Sequence, residues 1–173
     1  MIMTVYNFSF GSNMSSSRLL ARLPEAKRVG TAVLKGYELT FDMVSTDGSA
    51  KCSIRQTDEP EALVYGVVYQ LSLAEKAILD EIEGPRYDCV DVCVELVEGE
   101  QLTAHCYIAN TLDSALLPFD WYLQHVHRGA LEAGVPNHYS EAILSRDSRD
   151  DPDKTRAAKE FAIHNNKNHQ GTL

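Results

Sequence analysis

Basic residues are in short supply. Sixteen Lys and Arg stand against 25 Asp and Glu, a formal charge of −9, and no basic run interrupts the acidic average. Nucleic-acid affinity comes chiefly from Lys and Arg displacing counterions, so this composition excludes a phosphate-tracking surface and predicts no nucleic-acid partner. An anion bound here needs a local device that overcomes the overall field. Cysteine is scarce as well. Cys52, Cys89, Cys93 and Cys106 are too few and too scattered for a disulfide framework, and reduced core thiols are the expectation. The opening MIMTVYNFSF lacks a basic leader, and Thr4, Asn7 and Ser9 break its apolar character. This predicts neither a signal peptide nor a membrane span, hence a cytoplasmic protein with no membrane partner. Repeats, linkers, low-complexity segments and the G-x-S-x-G, Walker and dinucleotide motifs are missing too.

Metal-ligand spacing is also lacking. His125 and His127 are two apart on an expected helix and point to different sides, while Cys89 and Cys93 lie roughly 13 Å apart on an expected strand. His105 and Cys106 alternate across a strand, and His138, His164 and His169 are scattered. No metal site is expected from these spacings.

What is present suits one soluble domain. The chain has 173 residues, 44% apolar and 24% charged, ordinary values for a self-sufficient core. Alternation over 4–9 predicts a strand running into Gly11-Ser12-Asn13, and the Ser-rich stretch that follows predicts a helix over 15–23, stopped by Pro24. The region 28–69 reads as β-rich, with strands at 29–34, 37–41 and 63–69, a turn at 46–50, and a curved sheet or barrel as the result. Ser72 and Glu75 form a capping-box pattern for a helix over 72–83 that ends at Gly84-Pro85. Strands at 87–96 and 102–109 make a hairpin through Glu98-Gly99-Glu100, with Val90, Val92, Val94 and Leu96 sharing a face. Helices are expected at 120–133, 137–146 and 154–164. The reading is a single α+β domain over 1–164 with a polar C-terminal tail over 165–173.

Glu83 is the leading chemical candidate. It falls at the negative end of a helix dipole, has Asp80 and Glu81 as near neighbours, and has Ile82 and the Val90 strand to supply an apolar wall. Each influence favours the neutral acid, which suits a group that takes a proton from an amine and passes it to a leaving group. On spacing alone a solvated acidic helix end is the favoured reading. Phe10-Gly11-Ser12-Asn13, between strand and helix, has the form of a backbone anion cradle that requires no basic side chain; an ordinary capped turn is its plainer alternative. Of the eight tyrosines, Tyr87, Tyr107, Tyr122 and Tyr139 fall in the half that holds the candidate acid. Each joins an apolar body to one hydroxyl, a combination that suits a polar pocket.

Phe8-Ser9-Phe10-Gly11-Ser12-Asn13-Met14 resembles the Phe-Ala-Tyr-Gly-Ser-Asn loop of the gamma-glutamylcyclotransferase family. The resemblance continues through Val64-Tyr65-Gly66-Val67-Val68-Tyr69 and Leu79-Asp80-Glu81-Ile82-Glu83-Gly84. It extends to Cys106-Tyr107, Tyr122, Gly134-Val135-Pro136 and Tyr139, from Val5 to about Leu144. It implies a β-barrel-like mixed sheet flanked by helices and a cofactor-independent conversion of a γ-glutamyl amino acid or amine into 5-oxoproline and a free amine. By the same resemblance Glu83 is the catalytic acid/base, and Asn7, Phe8, Ser9, Phe10, Gly11, Ser12, Asn13, Tyr87, Tyr107 and Tyr122 bind substrate. Phe10 departs from the family's usual Tyr and removes a hydroxyl. Action on glutathione or another amide, and a binding domain that has lost turnover, are the alternatives. A homodimer through the helical second half completes the expectation.

Overall fold

Two buried glycines set how closely the chain can pack around its first strand. In the computed structural model, which describes residues 1–165, β1 (Thr4–Ser9) lies antiparallel to β5 (Leu63–Ser72), from Thr4 opposite Ser72 to Ser9 opposite Val67. A Cβ on Gly66 would stand 2.4 Å from the Phe8 ring and 2.6 Å from the Ser9 carbonyl, so only glycine admits β1 at this distance. The same holds at Gly129, where a Cβ would meet Met14 Cβ and the Ser15 amide nitrogen at 2.6 Å. That glycine lets α3 (Asp120–Ala133) press onto the segment after β1. β1 and its following loop are thereby clamped from two sides.

β5 also pairs with β2 (Lys27–Lys35), with a bulge between Arg28 and Gly30. β2 touches β6 (Tyr87–Leu96) through only Ala32–Leu96 and Val33–Glu95. β6 and β7 (Gln101–Ala109) form a long hairpin, and a single parallel pair, Asn7 with His105, joins β7 back to β1. The result is a closed five-stranded barrel in the order β1-β5-β2-β6-β7. Val92, Val94 and Leu96 are buried as the alternation requires, whereas Val90, at the hairpin's open end, is 36% exposed. β3 (Tyr37–Val44) and β4 (Ala50–Gln56) form a separate two-stranded arm around the turn that 46–50 predicts. β4 lacks a sequence expectation of its own: Ala50, Cys52, Ser53 and Ile54 are all buried, which erases the period-two signal.

α2 (Leu73–Glu83) carries the full capping box, with Ser72 and Glu75 each accepting the other's backbone N–H, and ends at Gly84 with φ of 75°. The segment after β1 differs from the single helix expected there. A 3₁₀ turn over Ser12–Met14 precedes α1 (Ser16–Arg22), and Ser15 at the N-cap makes no side-chain cap. The Ser12 hydroxyl accepts instead from Arg18 Nε at 3.0 Å, a competing bond from within the helix. α4 (Asn137–Leu144) and α5 (Lys154–Ala162) follow α3. Buried Asp151 ties this end of the chain to α3, accepting from Trp121 Nε1 at 2.8 Å and from Arg156 at 2.6 Å. Among the described residues the fold is thus an α+β domain of a closed mixed barrel flanked by five helices. Among the described residues no helix is long and apolar enough to cross a membrane. Of the expected tail, residues 166–173, including His169, lie outside the described residues.

Candidate active site

The loop after β1, the end of α2 and the base of the β3–β4 arm enclose a cavity of about 330 Å³. Asn7 to Asn13, Glu83, Tyr87, Tyr107 and Tyr122 all line it, so the structure brings every sequence-derived site residue to one place. Tyr139, grouped with the other tyrosines by position, lies apart from them. It packs edge-on against Tyr65, ring centroids 4.9 Å apart, and its hydroxyl accepts from the Tyr65 amide.

Gly11 is required by space. Its φ is −108°, open to any residue, but a Cβ would meet Cys52 Cβ at 3.0 Å and the Tyr122 hydroxyl at 3.4 Å. The first closed bonds of the loop run from the Met14 and Ser15 amides to the Gly11 and Ser12 carbonyls. The preceding amides are left unspent by the turn, as at any helix start. Under the loop, Ser9 donates to Asn7 Oδ1 at 2.6 Å, and Asn7 Nδ2 lies 3.3 Å from His105 Nε2, at the residue pair that closes the barrel.

Two tyrosines, Tyr122 on α3 and Tyr87 on the barrel strand β6, hold the arm through one residue. The Tyr122 hydroxyl accepts from the Cys52 amide at 2.9 Å, and Tyr87 donates to the Cys52 carbonyl at 2.8 Å. Burial lifts both phenols well above their ordinary range and pushes the Cys52 thiol up to about 12, so all three are neutral at physiological pH. Tyr107 donates to Asp80 Oδ1 at 2.7 Å, and burial together with that bond raises its phenol too.

Glu83 ends α2 inside the cavity and accepts from Asn13 Nδ2 at 3.4 Å. Burial raises its carboxyl above the ordinary range against the pull of Arg22 and then Arg18. The direction matches the sequence expectation, but the causes differ. Asp80 is engaged with Lys76 and Tyr107, Glu81 is exposed, and Val90 faces outward, so enclosure by the cavity walls takes the place of acidic neighbours and a strand wall.

The cavity also holds four cations that the backbone-cradle reading did without: Arg18, Arg22, Lys51 and Arg86. Arg18 pairs with Glu160 of α5 at 2.8 Å. Lys51 pairs with Asp47 at 2.9 Å and lies over the Trp121 and Tyr122 rings. Arg86 donates to the Val44 carbonyl at 2.8 Å. Arg18 and Arg22 were legible in principle, being four residues apart on a helix that starts at the loop; Lys51 and Arg86 carry no comparable signal. Histidines that look scattered in sequence also meet: His125 Nδ1 lies 2.5 Å from His164 Nε2, and His125 Nε2 lies 2.8 Å from Glu160. Among the described residues no group of three or more His, Cys, Asp or Glu has the arrangement to hold a metal ion.

The AIG2-like family model matches residues 63–143. The chain is 28% identical over 155 residues to a human gamma-glutamylcyclotransferase, covering 83% of this chain and 79% of the relative. It is 29% identical over 148 residues to the mouse gamma-glutamylcyclotransferase, at 81% and 77% coverage. A solved gamma-glutamyl cyclotransferase structure superposes with a TM-score of 0.79 at 24% identity, over 91% of this chain and 99% of the other. A crystal structure of an uncharacterized human protein gives 0.77 at 28% identity, over 85% and 90%.

Proposed function

We propose, from the likeness to gamma-glutamylcyclotransferases and the AIG2-like family, that this chain is an enzyme that cyclises a γ-glutamyl amino acid or amine to 5-oxoproline and releases the free amine. The observation that carries this reading is the enclosed Glu83 carboxyl facing the loop across one cavity, with Asn13 of that loop as its hydrogen-bond partner.

The chemistry needs no external nucleophile, because the α-amine of a γ-glutamyl compound can close onto its own side-chain carbonyl. At neutral pH that amine is an ammonium. Glu83 takes one proton from it, and the freed lone pair attacks the γ-carbonyl carbon. Glu83 hands the first proton to the leaving nitrogen of the tetrahedral species and, a carboxylate again, takes the second from the ring nitrogen. The carbon–nitrogen bond breaks, the second proton passes to the released amine, which departs as an ammonium, and 5-oxoproline leaves with Glu83 returned to its carboxylate. A carboxyl raised by burial suits both directions of transfer. Loop amides at Gly11 to Asn13 offer donors to the oxyanion, and Tyr122 and Tyr87 hold the arm against the substrate. Folding the substrate so that its ends meet exploits effective molarities of about 10⁵ to 10⁸ M.

On this reading the protein acts in the cytoplasm in the turnover of γ-glutamyl compounds such as glutathione, with no metal or cofactor in the chemistry. It is one catalytic domain over 1–164, with 165–173 as a tail. Homodimerisation through the helical second half is part of the proposal, and sedimentation of the purified protein tests it. The function is tested by incubating the protein with a panel of γ-glutamyl amino acids, γ-glutamyl amines and glutathione and measuring 5-oxoproline. Release from none of them by folded protein would overturn the reading.

A further inference from the structure

Three of the four cavity cations are already committed. Arg18 is held by Glu160 and Ser12, Lys51 by Asp47 and Ser49, and Arg86 by the Val44 carbonyl. Arg22 differs. Among the described residues its only hydrogen-bond partner is Asn13 Oδ1, at 3.5 Å, and none forms an ion pair with it. The other end of the same amide, Asn13 Nδ2, reaches Glu83 Oε1 at 3.4 Å. One asparagine therefore spaces an uncommitted guanidinium from the candidate base, and both side chains line the cavity. An α-amino acid presents its ammonium and carboxylate on a single carbon, which is the charge pattern complementary to this pair.

We propose that Arg22 binds the α-carboxylate of the γ-glutamyl group while Glu83 receives the ammonium on the same carbon, with Asn13 setting the spacing between them. The inference rests on the cyclotransferase reading and adds to it a residue that selects α-amino acid ends. It has an electrostatic consequence. The charged and titratable groups facing Glu83 are Arg22 and Arg18 from α1, Tyr87 from β6 and Tyr107 from β7, and Arg22 is the leading influence that lowers its proton affinity. A carboxylate paired with Arg22 cancels that influence, so substrate arrival strengthens the base that must deprotonate it.

The test uses two anilides that differ only in the α-carboxylate, γ-glutamyl-p-nitroanilide and 4-aminobutanoyl-p-nitroanilide. Both carry the amine and the leaving group, and both release nitroaniline on cyclisation. The wild-type protein should prefer the first by about 10²-fold in kcat/KM, the scale of a charge pair lost from a buried site. In Arg22→Gln the preference should fall below about threefold, mainly through KM for the γ-glutamyl compound, with Arg22→Lys intermediate because it keeps charge but loses the fork. With the 4-aminobutanoyl compound, the acid limb of the Arg22→Gln pH profile should move to higher pH. Undiminished preference in Arg22→Gln, or equal losses on both compounds, would overturn the proposal. Calorimetric binding of 5-oxoproline against 2-pyrrolidinone to the wild type and Arg22→Gln reads the same selectivity without turnover. Selective binding that depends on Arg22 without catalysis would sink the enzyme reading and keep Arg22; catalysis with selectivity indifferent to Arg22 would do the reverse.

Discussion

Asp80 and Glu83 sit on the last turn of one helix, three residues apart, and the protein treats them in opposite ways. Asp80 lies at the surface side of the turn. Burial works to raise its carboxyl, but the Lys76 ammonium at 2.8 Å and the Tyr107 hydroxyl at 2.7 Å outweigh it and hold the group below its ordinary range. Glu83 is turned into the cavity, has one long bond from Asn13 and no ion-pair partner among the described salt bridges, and burial prevails. Both groups share the negative end of the α2 dipole, so the dipole does not separate them. What separates them is which is given a short-range donor. A carboxylate with committed donors stays ionised; one enclosed without them is left able to hold a proton and give it up.

The largest test of that contrast is on turnover. Glu83→Gln keeps the side chain's volume but accepts no proton, so 5-oxoproline release should fall by about 10²- to 10⁴-fold with ligand binding retained. Asp80→Asn should stay within about threefold of the wild type, since an exposed ion pair contributes little. Exposed Glu81→Gln should match Asp80→Asn. If Asp80→Asn or Glu81→Gln proves the more damaging change, the base has been misassigned. A smaller effect is expected from Asn13→Ala, which removes the hydrogen bond to Glu83: kcat should drop about tenfold, the order of one bond to a charged group. An unchanged kcat would mean that Asn13 does not orient the carboxyl.

The contrast should also appear in thermal stability, with opposite signs. The Glu83 carboxyl is raised in the folded state above its ordinary 4.5, so its contribution is complete below that pH and is lost as pH climbs through the raised value. The Asp80 carboxyl is depressed below its ordinary 3.8, so its contribution is complete above that pH and is lost as pH falls through the depressed value. Differential scanning at a series of pH values should therefore show Glu83→Gln gaining on the wild type as pH climbs above 4.5. Asp80→Asn should lose its deficit as pH drops below 3.8. Parallel curves for the two variants would break the comparison. The smallest effect is expected from Phe10→Tyr, which adds a hydroxyl to the cavity wall next to neither committed pair. The fold should persist, and activity should rise or the range of γ-glutamyl compounds should widen by about a few-fold. Identical rates across the panel would show that the missing hydroxyl is neutral.

The frame of this molecule was legible because its signals are local. The β1 alternation, the Ser72–Glu75 capping box and the β6–β7 hairpin are each written within a dozen residues and match the observed elements closely. The cavity's residue set was legible through the resemblance, which supplied the loop and Glu83 together. Its electrostatics were not. Arg18–Glu160, Cys52–Tyr122 and His125–His164 join residues 142, 70 and 39 positions apart, distances at which periodicity carries no information. The β4 strand was hidden for a different reason: with both faces covered it has no polar side to alternate against. Gly66 lies inside the strand expected at 63–69, but the reason it must be glycine was hidden, because the partner needing the space, Phe8, belongs to another strand.

The bond between Arg18 and Glu160 also orders events in time. The loop that would hold the substrate is among the first segments made, while the carboxylate that steadies Arg18, and through it the Ser12 hydroxyl, comes 142 residues after it. During synthesis the barrel strands β1, β5, β2, β6 and β7 are all complete before α5 exists. The barrel strands and Glu83 are therefore made before the helix that steadies Arg18. On the proposed reading, the loop's support is complete only when α5 docks against α1.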